Sequence, residues 1–167
     1  MPWVLADSDL GEHILEIGAG SGAATEELRR RARVTSLEYD ARSVSKLAPR
    51  IKNSRGDVVR GDASSLPFAN RTFSSAIAIL VLHHLPTMEL QDQAFAEIFR
   101  VLRPGGVFLT FEISDSWFHR VGHIRSTFVP VVPATAYTRL AQAGFSDVTL
   151  DFSGGAFRIR AMRANEK

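Results

Sequence analysis

Short apolar runs alternate with amphipathic stretches along the chain, a pattern that predicts a sheet wound with helices. The run 13–17 (HILEI) reads as a strand and leads into Gly18-Ala19-Gly20-Ser21-Gly22. Good helix formers with a polar outer face at Glu26, Glu27, Arg29 and Arg30 predict a helix over 23–31. A second strand, 34–37, ends at Glu38-Tyr39-Asp40, and Asp40 is placed to cap a helix over 41–48 that stops near Pro49. A brief strand at 58–60 leads into Gly61-Asp62, and the continuous apolar run 76–82 (AIAILVL) reads as a strand buried on both faces. Thr87 is placed to cap a long helix reaching 102, with Leu90, Ala94, Ile98, Val101 and Leu102 as its apolar stripe and Pro104-Gly105-Gly106 as its end. After a strand at 107–113 and a helix at 134–143, the tail changes to two alternating strands, 148–152 and 156–162, around Ser153-Gly154-Gly155.

Five strands, each followed by a crossover, predict an α/β, Rossmann-like doubly wound sheet, mostly parallel, with the C-terminal hairpin adding an antiparallel edge. The 167 residues suit one domain, 1–167. Such sheets bind ligands at the carboxyl ends of their strands, near the point where strand order reverses.

Composition narrows the chemistry. The absence of cysteine excludes disulfides, thiolate metal sites and a cysteine nucleophile. Twenty basic against 18 acidic residues give a net charge of +2, yet the pI is ≈ 9.4. Without Cys, and with two Tyr and few Lys, little titrates between the histidines and pH ~10, so a small excess persists. The basic residues are mostly Arg and are spread out, so nucleic acid is not the expected partner. No apolar run approaches ~18 residues, and the N-terminus has no basic region followed by an apolar one. The expectation is a cytoplasmic protein without membrane insertion.

The candidate chemistry gathers at predicted strand ends. Glycines between a strand and a helix let a ligand approach the backbone, although a tight structural turn would look the same. Gly18, Gly20 and Ala23 also satisfy the looser dinucleotide fingerprint G-x-G-x-x-A. Glu38, twenty positions after Gly18, is where a carboxylate accepts two ribose hydroxyls; a solvated acid is the plainer reading. Asp62 adds an acceptor at the same sheet edge, suited to an adenine amino group, and a dinucleotide site does not ordinarily need it. Glu16 precedes the first glycine by two residues.

Taken together, E-I-G-A-G-S-G, the strand-end Glu38, G-D-A-S-S-L-P-F, V-L-H-H-L and F-R-V-L-R-P-G-G resemble the class I S-adenosylmethionine-dependent methyltransferases. The likeness is to the small-molecule, ubiquinone/menaquinone-type (methyltransferase type 11) branch, and it runs from about residue 3 to residue 162. It implies a seven-stranded fold, S-adenosylmethionine as cofactor and S-adenosylhomocysteine as product. It implies that Gly18, Ala19, Gly20, Ser21 and Gly22 form the loop beneath the cofactor's methionine part and ribose, with Glu16 near the amino-acid end. It implies ribose hydroxyls on Glu38, adenine against Tyr39, its amino group on Asp62 beside Ala63, and Leu80, Val81 and His83 alongside the cofactor. Two departures stand out. Ser74 occupies a position where the family often has an acid, and only residues 1–11 precede the first strand, where many relatives carry closing helices. The latter predicts an open pocket, one completed by a second subunit as in a homodimer, or a chain pared down from a longer one.

Methyl transfer from a sulfonium mainly requires an acceptor held in line with the methyl–sulfur bond. A base is needed only when the acceptor must lose a proton. His83, His84, Glu112 and Asp115 are candidate bases, with His83 and His84 the catalytic picks, since similar methyltransferases sometimes use one of this pair near the transferring methyl; each of the two also reads as a packed, hydrogen-bonded histidine. His119 and His123, four apart, could begin a metal site, but no third ligand has an obvious place and no metal is expected. Trp117, Phe118, Phe128 and V-P-V-V-P make 114–133 a candidate lid, which implies a small, partly apolar acceptor; a crossover packed on the sheet would look alike. The expected function is methyl transfer to O, N or C of such a molecule. The alternatives are a cofactor-binding accessory or sensor protein and, more distantly, an RNA methyltransferase.

Overall fold

Every apolar run read as a strand pairs into a single seven-stranded sheet. The computed structural model describes residue 5 and residues 9–52, 56–113 and 128–165. The strands are β1 (His13–Ile17), β2 (Arg33–Glu38), β3 (Gly56–Arg60), β4 (Phe73–Ile79), β5 (Leu102–Ile113), β6 (Ser146–Ser153) and β7 (Ala156–Met162). Their order is β3-β2-β1-β4-β5-β7-β6. Pairings among β1 to β5 are parallel, and β7 runs antiparallel to both β5 and β6. This is the expected Rossmann-like methyltransferase sheet with its C-terminal hairpin. Gly154 and Gly155 both take positive φ (56° and 82°), which matches the twist of a tight two-residue hairpin.

The helices are α1 (Ala23–Leu28), α2 (Ala41–Ile51), α3 (Met88–Val101) and α4 (Pro133–Gln142). One sheet face packs Leu15, Ile17, Ala76 and Phe108 against Ala94, Phe95 and Ile98 of α3 and Ala136 and Leu140 of α4. Ile14, Val34, Ile77 and Leu109 on the other face meet Leu28 of α1 with Leu5 and Leu10. The caps fall where the sequence put them. Asp40 accepts from the Ser43 N–H at 2.8 Å, and Thr87 accepts from the Leu90 N–H at 3.2 Å.

Four boundaries differ from expectation. α2 runs through Pro49 to Ile51: the lost N–H falls in the last turn, Lys52 N–H still closes on Ala48 O, and Leu47 and Ile51 are buried with Ala19 and Val58. β4 stops at Ile79, because Leu80 turns left-handed (φ 57°) and Leu82–His84 form a 3-10 turn. Leu82 is nonetheless fully buried, so the unbroken apolar run reports burial and not extended backbone. The chain rejoins the sheet at Leu102, paired with Phe73; an irregularity through Pro104-Gly105-Gly106 precedes the regular register from Val107. α1 is also shorter than predicted, with Arg29 to Ala32 continuing as turns that bond back to residues 25–28.

Candidate functional site

Strand order reverses between β1 and β4, and a cavity of ≈ 630 Å³ opens at the carboxyl ends of these strands. It is built first from the glycine loop. The N–H groups of Gly18 and Ala19 both bond to Leu37 O (2.8 and 3.2 Å), tying the loop to β2. The three glycines are required for different reasons. A Cβ on Gly18 would fall 2.4 Å from Val81 Cγ2, and one on Gly22 would fall 2.4 Å from Leu47 Cδ1. A Cβ on Gly20 would meet nothing within 4 Å. Gly20 lines the cavity with a left-handed φ of 51°, so its bare α-carbon opens the backbone to whatever occupies the space.

Glu38 ends β2 and lines the same cavity. Its oxygens accept from Gly20 N–H (2.7 Å) and Asp40 N–H (2.9 Å), which leaves lone pairs on both for vicinal hydroxyls. Tyr39 beside it is 72% exposed. Asp62 follows β3; its Oδ1 accepts from Ser64 N–H and Oγ at 2.8 and 2.7 Å, and Oδ2 has no donor among the described residues. Ala63 and Leu80 also line this side.

The loop bearing Asp62 is held from a distance. Arg100 of α3 donates to Leu66 O, Phe68 O and Asn70 Oδ1 at 2.7–3.0 Å, while Glu97 accepts from Leu66 N–H at 2.7 Å. The Arg100 guanidinium beside Glu97 holds that carboxyl below its ordinary range. Sequence reasoning assigned no role to this clamp, although F-R-V-L-R-P-G-G contains its arginine.

The two histidines separate. His84 lines the cavity, with Val81, Leu85, Pro86 and Leu90 alongside. His83 does not line it: it is 3% exposed, and its Nδ1 lies 2.5 Å from Glu112 Oε2. Its ring is 4.2 Å from that of His84 and 5.3 Å from that of Phe128. Glu112, fully buried at the end of β5, also accepts from Val81 N–H (3.1 Å) and Leu82 N–H (2.8 Å) through Oε1. Leu80 keeps its left-handed backbone, a strain of ~1–3 kcal/mol, by donating its N–H to Phe111 O.

Glu16 lies behind the glycine loop, lining a second cavity of ≈ 240 Å³ with Ala19, Ser21, Ala23 and Ile79. Its Oε2 accepts from both Thr25 Oγ1 and Ser36 Oγ at 2.6 Å, and burial raises its pKa above the ordinary carboxyl value. Gly22 lines neither cavity and stands at the start of α1. Ser74 lies at the opposite end of β4, where its hydroxyl bonds Leu10 O and His13 O. Asp115, Trp117, Phe118, His119 and His123, and so most of the 114–133 lid, fall outside the described residues. Among the described residues no cluster of three metal-ligating side chains forms, and no helix is long and apolar enough to cross a membrane.

This set of groups suits an adenosine-containing ligand: diol acceptors at Glu38, an amino-group acceptor at Asp62, apolar surface from Tyr39 and Leu80, and backbone access at Gly20. Comparison with known proteins gives the same direction. A family model described as a methyltransferase domain matches residues 15–110. Phthiotriol/phenolphthiotriol dimycocerosates methyltransferase 1 of Mycobacterium ulcerans is 34% identical over 110 residues, covering 64% of this chain and 39% of that protein. Fatty-acid O-methyltransferase of Mycolicibacterium smegmatis is 32% identical over 102 residues, covering 59% and 36% respectively. The chain thus spans about two fifths of the length of the curated relatives it matches. Among solved structures, the [4+2]-cyclase SpnF superposes with a TM-score of 0.80 at 20% identity, over 98% of this chain and 79% of that one. That is a likeness of fold.

Proposed function

The chain belongs to the class I S-adenosylmethionine-dependent methyltransferases, and from that membership we propose that it moves a methyl group from S-adenosylmethionine to an oxygen, nitrogen or carbon of a small, partly apolar molecule. The observation that carries the reading is the cavity at the β1/β4 reversal, where Gly20, Glu38 and Asp62 meet. When bound, the cofactor supplies a methyl group made electrophilic by its sulfonium. Glu38 then takes the ribose hydroxyls, Asp62 takes the adenine amino group through Oδ2, and Tyr39 and Leu80 cover the adenine. The loop Gly18 to Gly22 admits the backbone approach, and Glu16 acts from behind it on the cofactor's amino-acid end.

The chain's main contribution to rate is orientation of the acceptor, which can supply several kcal/mol of the barrier. Among the described residues His84 is the histidine that lines the cavity, beside Leu85, Pro86 and Leu90, and it is the candidate to meet a dissociating acceptor. Apolar acceptors are favoured by those neighbours and by the relatives named for phthiotriol lipids and a fatty acid. The test is incubation with S-adenosylmethionine and a panel of phenols, quinols, amines and fatty acids, with methylated product and S-adenosylhomocysteine followed by mass spectrometry. Acceptor-dependent release of S-adenosylhomocysteine is expected. Tight cofactor binding with no turnover on any acceptor class would favour an accessory or sensor protein instead.

A further inference from the structure

Glu112 is the most completely buried carboxyl near the cavity, and it does not face it: it is fully buried and absent from the lining. A charge in that position is costly unless its hydrogen bonds are made. They are made, and all three come from one turn: Val81 N–H, Leu82 N–H and the His83 ring. Oε1 already accepts two N–H groups, so the matched partner for Oε2 is Nδ1–H of His83.

The same turn is gripped elsewhere. The buried Gln91 side chain donates to Leu82 O at 3.2 Å and to Val129 O at 2.8 Å, and Val129 N–H donates to His83 O at 2.8 Å. Leu80 N–H is held by Phe111 O, so the backbone from 80 to 83 is fixed from β5, α3 and residue 129. This short piece presents Leu80, Val81 and His84 to the cavity. Residue 80 also carries left-handed strain that relaxes if its supports go.

Resting on the cofactor reading above, we infer that Glu112 is a positioning residue: through Val81, Leu82 and the Nδ1–H of His83 it fixes the turn after β4 in the form that receives the cofactor and presents His84. Glu112 therefore acts on binding without touching ligand, and His83 serves as its partner and not as a base.

The test uses the full chain with S-adenosylhomocysteine as probe. Binding is read by calorimetry, stability by thermal unfolding, and the His83 ring by proton–nitrogen NMR. Glu112→Gln keeps the shape but offers one acceptor oxygen where three donors converge, and His83→Phe keeps the ring but removes its bond. Both variants are expected to fold and to bind S-adenosylhomocysteine about tenfold or more weakly, the cost of one lost bond to a buried charge. In wild type, a low-field Nδ1 proton of His83 is expected to shift during the titration, which a merely structural pair would not show. If Glu112→Gln does not fold, His83→Phe and the wild-type resonance decide the matter. Wild-type affinity in His83→Phe, or an Nδ1 proton that ligand does not move, overturns the role of Glu112 while leaving the cofactor reading intact. A wild type that binds neither S-adenosylmethionine nor S-adenosylhomocysteine overturns both.

Discussion

A buried carboxyl such as Glu16 binds its proton more tightly in the folded chain than in the unfolded one, because burial penalises the charged form. Its contribution to stability is complete below the ordinary value of 4.5 and is lost as pH rises through the raised folded value. Glu16→Gln removes that loss, so urea midpoints of variant and wild type should agree near pH ~4 and diverge in the variant's favour toward pH ~7. Parallel pH curves would contradict this. The glycines separate by the same kind of residue-level reasoning. Gly18→Ala drives a methyl into Val81 and should lower the unfolding temperature markedly. Gly20→Ala meets open space and should cost only the ~1–2 kcal/mol of a left-handed alanine, yet still weaken S-adenosylhomocysteine binding in calorimetry. The glycines, Glu38 and Asp62 were legible in the sequence because each stands at a strand end that local pattern locates. That His84 lines the cavity while His83 is buried behind it was not legible, since adjacent residues of one turn point differently and no periodicity reports it.

Among the elements, the clamp from α3 onto the loop after β3 links a helix motif to the ligand cavity. Arg100 reaches three acceptors on that loop and is locked by Glu97, so its planar fork is used in full. Arg100→Ala should cost ~1–3 kcal/mol in denaturant unfolding and raise the dissociation constant for S-adenosylhomocysteine by loosening Asp62. Arg100→Lys should not restore either, because one ammonium cannot span the same acceptors. Such a clamp joins residues about thirty apart in the chain, which is why motif and period gave no hint of it. The same lesson holds for α2, where packing of Leu47 and Ile51 outweighs Pro49, and for Leu82, where burial without strand geometry imitates a strand. The existence of the strands and their parallel sheet with an antiparallel hairpin were legible, because alternation of apolar runs with helical stretches admits few sheet topologies; the order of the strands was not read from the sequence.

For the molecule as a whole, the sheet alone does not decide the chemistry: a protein named a [4+2]-cyclase shares it at a TM-score of 0.80. What distinguishes this chain is the set of groups around one cavity, and a ligand that fills it must stabilise the folded state. S-adenosylhomocysteine at about one hundred times its dissociation constant should add about 2.7 kcal/mol, raising the unfolding temperature by several degrees. A nicotinamide dinucleotide at the same concentration should leave it unchanged, a contrast that thermal scanning reads directly. The most direct measurement remains calorimetric titration of S-adenosylmethionine and S-adenosylhomocysteine into wild type, Glu38→Ala and Asp62→Ala. Binding to wild type that falls at least about tenfold in each folded variant is the predicted result. Equal affinity in all three proteins would contradict the assignment of Glu38 to the ribose and Asp62 to the adenine, and no binding to wild type would contradict the cofactor itself.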